Sequence, residues 1–309
     1  MAEPLSVPMF GVLVGIVVVL ALLMVLTIAK IGVYSTMANR PLEEINAIFR
    51  RKDIEVVISR FEEPLDWLLQ QPYRHFLPNI VLYNKGSSPI PREIASAVKA
   101  VVPLENLGRC DHTYLAHVVR GLKEGTLAGT TVFLTASTYD LPNKRYMARR
   151  IFQSLWNPTI IRPVLEHTVL YDAFRTFQMD RHPTAHEGNR RANPETALTP
   201  SAIRPFGPWI VDLYESVFGP GCGVRTMKSP VFLYGVFVGT RENIQKTPLA
   251  LYERLLKEVA VSSNPEVGHY IERLWGTLMF GVLPEAPTPG HAPVGVASTS
   301  STSTSGLMA

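Results

Sequence analysis

The sequence predicts a membrane-tethered α/β protein: a mostly parallel sheet flanked by helices, preceded by one transmembrane helix. Three observations predict it. The run from Met9 to Ala29, MFGVLVGIVVVLALLMVLTIA, holds no charged or amide side chain. From Ile54 to Leu134, short β-branched runs alternate with helical stretches, the pattern of strands joined by helical crossovers. Only two cysteines, Cys110 and Cys222, occur in 309 residues, so neither a disulfide framework nor a cysteine-rich zinc module holds the core.

The apolar run is long enough, at about 1.5 Å per residue, to cross a hydrocarbon layer of roughly 30 Å. Its valines and isoleucines are no obstacle, because backbone in lipid must satisfy its own hydrogen bonds. A cleaved signal peptide is the alternative, with Thr36-Met37-Ala38 as a small-residue site. The run exceeds the usual apolar core of a signal peptide, and no Lys or Arg precedes it, which favours a retained anchor. The expected organisation is a short segment at 1–8, a transmembrane helix at 9–30 and a stem at 31–52. An α/β domain follows at 53–283, then a Ser/Thr/Pro-rich disordered tail at 284–309. Lys30, Arg40, Arg50, Arg51 and Lys52 all follow the run, which by the positive-inside rule faces the domain to the cytosol. Asn157-Pro158-Thr159 is blocked as a glycosylation acceptor by its proline, which leans the same way.

Within the domain, Ile54–Ile58 alternates as a buried strand, and Pro64–Leu69 reads as a helix with proline in its first turn. Asn79–Tyr83 is a second strand, closed by the turn at Asn84–Ser88. Ile94–Lys99 reads as a short helix, Ala100–Leu104 as a third strand, Thr113–Lys123 as a helix and Thr130–Leu134 as a fourth strand. Beyond these, Asp180–Ser201 reads as a long polar loop. Leu249–Ala260 and Val267–Phe280 carry helical periodicity. Lys and Arg number 30 against 26 Asp and Glu, a net charge of +4. The basic residues are spread along the chain, the distribution of a solvated surface rather than a nucleic-acid groove.

The polar residues gather where the strands end. The first strand runs into Ser59-Arg60-Phe61-Glu62-Glu63, and the second into Tyr83-Asn84-Lys85-Gly86-Ser87-Ser88. The third runs into Glu105-Asn106-Leu107-Gly108-Arg109, and the fourth into Thr135-Ala136-Ser137. In a parallel sheet such ends converge on one edge. This order resembles the nucleotide-sugar-binding half of GT-A glycosyltransferases, which are Rossmann-related, over Ile54 to Ser137. Across Glu55 to Phe280 the chain more closely resembles an uncharacterised "domain of unknown function" family of fungal, algal and large-virus proteins. That likeness rests on Val57–Glu62, Tyr83–Gly86, Asn106–Arg109 with His112–Leu115, Val132–Leu134, Tyr252–Arg254 and Gly268–Trp275.

The resemblance implies a donor site for a nucleotide sugar, formed by Arg60, Glu62, Asn84, Lys85, Asn106, Gly108, Arg109, His112 and Ser137. Asn84 and Glu62 are suited to a base or ribose. The amides of the Asn106–Gly108 turn are suited to a diphosphate, with Gly108 allowing close approach. Arg109 and Lys85 are suited to a departing nucleotide's charge. Glu272 and His269 are candidate bases for a hydroxyl acceptor, with Asp111 behind them. The implied partners are the membrane, a nucleotide-sugar donor, and a glycan or other hydroxyl acceptor. Nucleic acid is not among them.

One departure stands out. Glycosyltransferases of this type carry Asp-x-Asp, which holds Mn or Mg, where this chain has Thr135-Ala136-Ser137. Hydroxyls alone bind such ions poorly, so no cofactor or metal ligand is firmly implied. The expected function is therefore sugar transfer without that metal site, by a membrane-anchored enzyme. A catalytically inactive binding or scaffold protein of the same fold is the alternative. A conventional glycosyltransferase would be luminal, opposite to the charge bias. Asp111 could also cap its helix, His269 could be structural, and Cys110 reads as a small buried side chain. Pro183 disfavours a metal pair at His182 and His186.

Overall fold

The computed structural model describes residues 16, 18–20, 22–24, 53–70, 73–156, 168–170, 205–226, 228–230, 232 and 234–280. The expected stem at 31–52, the polar loop at 180–201 and the tail at 284–309 lie outside the described residues, as do His182 and His186. Of the expected anchor, residues 16, 18–20 and 22–24 are helical and exposed, and the rest lies outside. Among the described residues no helix is long and apolar enough to cross a membrane.

The domain is a mixed α/β fold around a five-stranded, mostly parallel sheet flanked by helices. Its strands are β1 (Ile54–Arg60), β2 (Ile80–Asn84), β3 (Ala100–Pro103), β4 (Thr130–Thr135) and β7 (Phe237–Thr240). They lie in the order β3-β2-β1-β4-β7. The first four run parallel, with Val56 opposite Ile80 and Val132, and β7 is antiparallel to β4. A separate two-stranded ladder pairs β5 (Thr168–Leu170) with β6 (Lys228–Pro230).

All seven residues of β1 are buried, more than half-burial by alternation provides for. The reason is a covered sheet: strands of parallel sheets contact helices on both faces. Val57, Val81, Phe133 and Phe237 face one apolar layer, and Val56, Ile58, Leu82 and Leu134 the other. The helices are α1 (Arg92–Ala97), α2 (Arg109–Glu124), α3 (Pro142–Trp156), α4 (Phe206–Phe218), α5 (Arg241–Lys246), α6 (Leu249–Val259), α7 (Glu266–Glu272) and α8 (Trp275–Phe280). The first layer contains apolar residues of α2 and α4 to α8. The second contains residues of α1 and α3 and of the 3-10 turns at Asp66–Leu69 and Tyr73–Asn79. Trp275 stacks on Phe237 with centroids 4.9 Å apart, and Phe237 lies 4.9 Å from Phe133. Each such pair contributes about 0.5–1.5 kcal/mol beyond its buried area.

The helix expected at Ile94–Lys99 runs Arg92–Ala97, and that expected at Pro64–Leu69 is the 3-10 turn Asp66–Leu69; two further differences matter to the site. α2 begins at Arg109, earlier than the expected Thr113, because Gly108 turns the chain at φ 56° and acts as its N-cap. Asp111 is therefore inside the first turn and caps nothing. The expected helix at Val267–Phe280 is divided into α7 and α8. Arg273 Nη1 donates to the His269 carbonyl, and Leu274 N–H to Ile271, at 2.6 and 2.8 Å. That tightening swings Trp275 into the core. One charged group is buried on the α2 face of the sheet. Glu55 is 2.9 Å from His117 and 2.5 Å from Lys99. Desolvation would raise its pKa, but hydrogen bonds from His117 and Lys99 outweigh this and lower it.

Candidate functional site

From β1 the chain crosses first to β2 and then to β3 on one side, while β4 lies on the other. A parallel sheet opens a crevice where its winding reverses, outside the carboxyl ends of the strands. Here that place lies beyond Arg60 and Thr135, and a cavity of about 380 Å³ occupies it. The volume is in the range of small-ligand clefts, roughly 300–1,000 Å³. Ser59 lines it from β1 and Thr135 from β4, with Phe61 and Glu63 just beyond β1, Lys85 just beyond β2 and Ser137 just beyond β4. Asn106, the start of α2, the start of α3, the Tyr234–Gly235 turn, Ser263–Asn264 and Glu272 complete the walls.

The acids converge from two helices. Asp111 is 3% exposed, and its Oδ1 accepts the indole N–H of Trp275 at 2.7 Å. Desolvation pushes its carboxyl from an ordinary 3.8 up to about 7, opposed by Arg109 and reinforced by Glu272. A carboxyl displaced in this way is the kind of group that exchanges protons near neutral pH. Glu272 is half-buried, and its Oε1 accepts the backbone N–H of Tyr234 at 2.7 Å. Tyr234 has φ 68°, a conformation that a non-glycine residue holds at a cost of about 1–3 kcal/mol. Gly235 follows at φ 66°, and a Cβ there would lie 2.8 Å from Cys110 Sγ. Burial pushes the Cys110 thiol up to about 12, so it is a neutral wall and not a nucleophile.

The cations divide into one committed to the fold and two facing the cleft. Lys85 is 8% exposed and donates to the carbonyls of Leu107 and Arg109. Desolvation pushes its pKa down to about 8. It holds the Asn106–Arg109 turn in place. Arg109 lines the cleft with an exposed side chain, its Nη1 3.1 and 3.2 Å from the two ring nitrogens of His269. Lys144, at the start of α3, places its ammonium 3.0 Å from Thr135 Oγ1 and 2.9 Å from Ser137 Oγ. Burial lowers its pKa.

Of the residues predicted for the site, Lys85, Asn106, Arg109, Asp111, Ser137 and Glu272 line the cavity. Arg60, Glu62, Asn84, Gly108, His112 and His269 do not. Arg60 donates to Asn84 Oδ1 at 2.6 Å and to the Ser88 carbonyl at 2.9 Å. Glu62 accepts from the amides of Ser87 and Ser88 at 2.7 and 3.1 Å. These three side chains shape the loop beside the cleft instead of opening onto it. His112 is buried, its Nδ1 without a partner and its pKa lowered to about 4 by desolvation and by Lys85. The turn predicted to offer amides to an anion is closed. Gly108 N–H donates to Ser262 and Arg109 N–H to Ser263, at 2.6 and 3.1 Å. The space that Gly108 leaves open is filled by Val259, 2.7 Å from where a Cβ would stand.

Lys144, Tyr234, Gly235 and Glu63 also line it, with Leu141, Ser263 and Asn264, without having been singled out from the sequence. Only Glu63 carried a signal, as part of the first strand end. The fit of a divalent cation is poor. The fourth strand offers Thr135 and Ser137 but no carboxylate, and a lysine ammonium already sits against both hydroxyls. Among the described residues no group of three or more His, Cys, Asp or Glu is arranged to hold a metal ion.

Fold and site together define an α/β protein with a mixed-charge cleft at the carboxyl ends of a parallel sheet. No protein-family model matches the chain, and no curated protein or solved structure matches it significantly.

Proposed function

We propose that the chain is a membrane-anchored, GT-A-like glycosyltransferase that moves a sugar from a nucleotide donor to a hydroxyl acceptor. We also propose that it is a member of the uncharacterised family it resembles. The observation that carries the activity is the cleft at the winding reversal of the sheet, lined by the carboxyl groups of Glu63, Asp111 and Glu272 together with the cations Arg109 and Lys144. Sugar transfer needs both. Glu272 is suited to accept the proton of the acceptor O–H as that oxygen bonds to the anomeric carbon. The bond from that carbon to the β-phosphate oxygen breaks, and its electron pair leaves with the nucleoside diphosphate. Arg109 and Lys144 are placed to meet the added negative charge. The volume suits a ligand of nucleotide-sugar class, and Asp111 supplies a second proton-exchanging group below the first.

Full-length protein in detergent tests the reading through its melting temperature with UDP, GDP, their sugar conjugates and the parent nucleosides. Stabilisation by a nucleotide, together with slow release of sugar from its conjugate, is the expected result. A flat response to every compound removes the basis for the reading. A second reading, a binding protein without turnover, is favoured by the closed amides of Gly108 and Arg109. It predicts stabilisation without release of sugar. Facing of the domain is read from protease protection of a C-terminal tag, shielded for a luminal domain and cleaved for a cytosolic one.

A further inference from the structure

We propose that Lys144 is the built-in counter-ion for the ligand's diphosphate, so that the cleft takes a nucleoside diphosphate without any divalent cation. This rests on the nucleotide-sugar reading and goes further, since it names the group that replaces the metal. The argument begins with position. Lys144 Nζ lies 3.0 Å from Thr135 Oγ1 and 2.9 Å from Ser137 Oγ, the two residues that stand where the carboxylates of a metal motif were expected. The two ions would compete for one place, and the ammonium is covalently present.

The chemistry of its partners is the second step. Hydroxyls orient an ammonium without cancelling its charge, whereas a carboxylate would do both. Among the described residues, no carboxylate oxygen lies within 4.0 Å of Nζ. Glu63 and Glu272 act on it only at longer range. A largely desolvated cation without a contact anion gains most from an anion brought to it. Lowering of the Lys144 pKa by burial is consistent with that state.

Other donors beside the cleft are committed elsewhere: the amides of Gly108 and Arg109 are bonded to Ser262 and Ser263, and Lys85 to Leu107 and Arg109. Lys144 and Arg109 remain as cations lining the same cavity, and two cationic groups suit a diphosphate better than a single phosphate.

The test compares wild type with Lys144→Gln, which keeps a donor for the two hydroxyls but no charge, and with Lys144→Arg, which keeps the charge. Calorimetric titration with UDP, GDP, uridine and guanosine is run in EDTA and again in manganese. The expected result is diphosphate binding by wild type that EDTA leaves unchanged. Lys144→Gln weakens diphosphate binding by about tenfold or more and nucleoside binding by less than about twofold, while Lys144→Arg recovers most of the loss. The differential against the nucleosides separates lost charge from a damaged fold. Should Lys144→Gln not fold, Lys144→Met takes its place under the same comparison of diphosphate with nucleoside binding. Binding that requires manganese, or a Lys144→Gln protein that binds diphosphates as wild type does, overturns the proposal and leaves the nucleotide reading standing. Absence of binding by wild type to nucleosides and diphosphates alike overturns both.

Discussion

The indole N–H of Trp275 donates to Asp111 Oδ1 at 2.7 Å, joining the floor of the cleft to the aromatic centre of the core. This bond holds a carboxyl in a place with almost no water, and the carboxyl answers by keeping its proton. Between pH about 4 and about 7 the folded chain binds a proton at Asp111 that the unfolded chain has released. The Asp111 contribution to stability therefore falls as pH rises through that window, and is flat on either side of it. Asp111→Asn removes the titration. The difference in unfolding free energy between wild type and variant is expected to move steadily in the variant's favour from pH 4 to pH 7, on the order of 3 kcal/mol in total. A difference that stays constant with pH would show that Asp111 titrates normally.

Glu272→Gln tests the proton acceptor with little disturbance. The amide oxygen of Gln can still accept from Tyr234 N–H, so stability should change by less than about 1 kcal/mol. Transfer to a hydroxyl acceptor should fall by about 100-fold or more, since an amide cannot take the proton. Nucleotide affinity measured alongside should change little.

Cys110 borders the cleft and Cys222 is buried, and burial raises both thiols, Cys110 to about 12. Reaction with a disulfide reagent at pH 8 proceeds through thiolate. Native protein is expected to react far more slowly than the same protein in denaturant. A thiol that reacts at the free-cysteine rate would contradict the buried environment given to Cys110.

Gly235→Ala and Gly125→Ala separate crowding from backbone strain. Both glycines have positive φ, 66° and 67°. Only Gly235 has neighbours within 4 Å of an added methyl group, Cys110 Sγ at 2.8 Å and Thr135 Cγ2 at 3.2 Å. Gly125→Ala should cost about 1 kcal/mol for its backbone alone. Gly235→Ala should cost about 2–4 kcal/mol and narrow the cleft, as read by denaturant titration of each.

Glu55→Ala should cost about 2 kcal/mol, because it takes the partner from buried His117 Nε2, while Tyr83 keeps Nδ1, and from Lys99. Since the folded pKa of Glu55 is lowered, its contribution is complete above its ordinary value of 4.5 and fades as pH drops below that. The deficit of Glu55→Ala relative to wild type should accordingly shrink in acid melts. A deficit independent of pH would argue against the charge pair.

The sheet was readable in advance because its signals are local. Runs such as Val56–Ile58 and Val132–Leu134 specify strands, and their alternation with helices specifies a parallel arrangement. β7 was not readable, since Phe237–Thr240 is four residues with a glycine at Gly239, and its antiparallel place beside β4 is a tertiary choice. Part of the site followed from the strand ends, which bring Lys85, Asn106 and Ser137 to one cavity. Lys144 lies on a helix with no strand-end position to mark it, and Tyr234 is distinguished by a backbone angle. The amides near Gly108 looked available because the segment that closes them, Ser262–Ser263, lies far along the chain. Whether a donor is open or taken is a long-range fact.

The parallel ladder stops at β3, whose last residue, Pro103, stands opposite Asn84. Leu104 N–H turns inward to the Asn84 carbonyl at 3.0 Å, so by alternation the nitrogen of Pro103 points away from β2. It carries no hydrogen there. A neighbouring molecule seeking to extend the sheet meets a four-residue rim with a donor missing, which is how proteins discourage strand-to-strand aggregation.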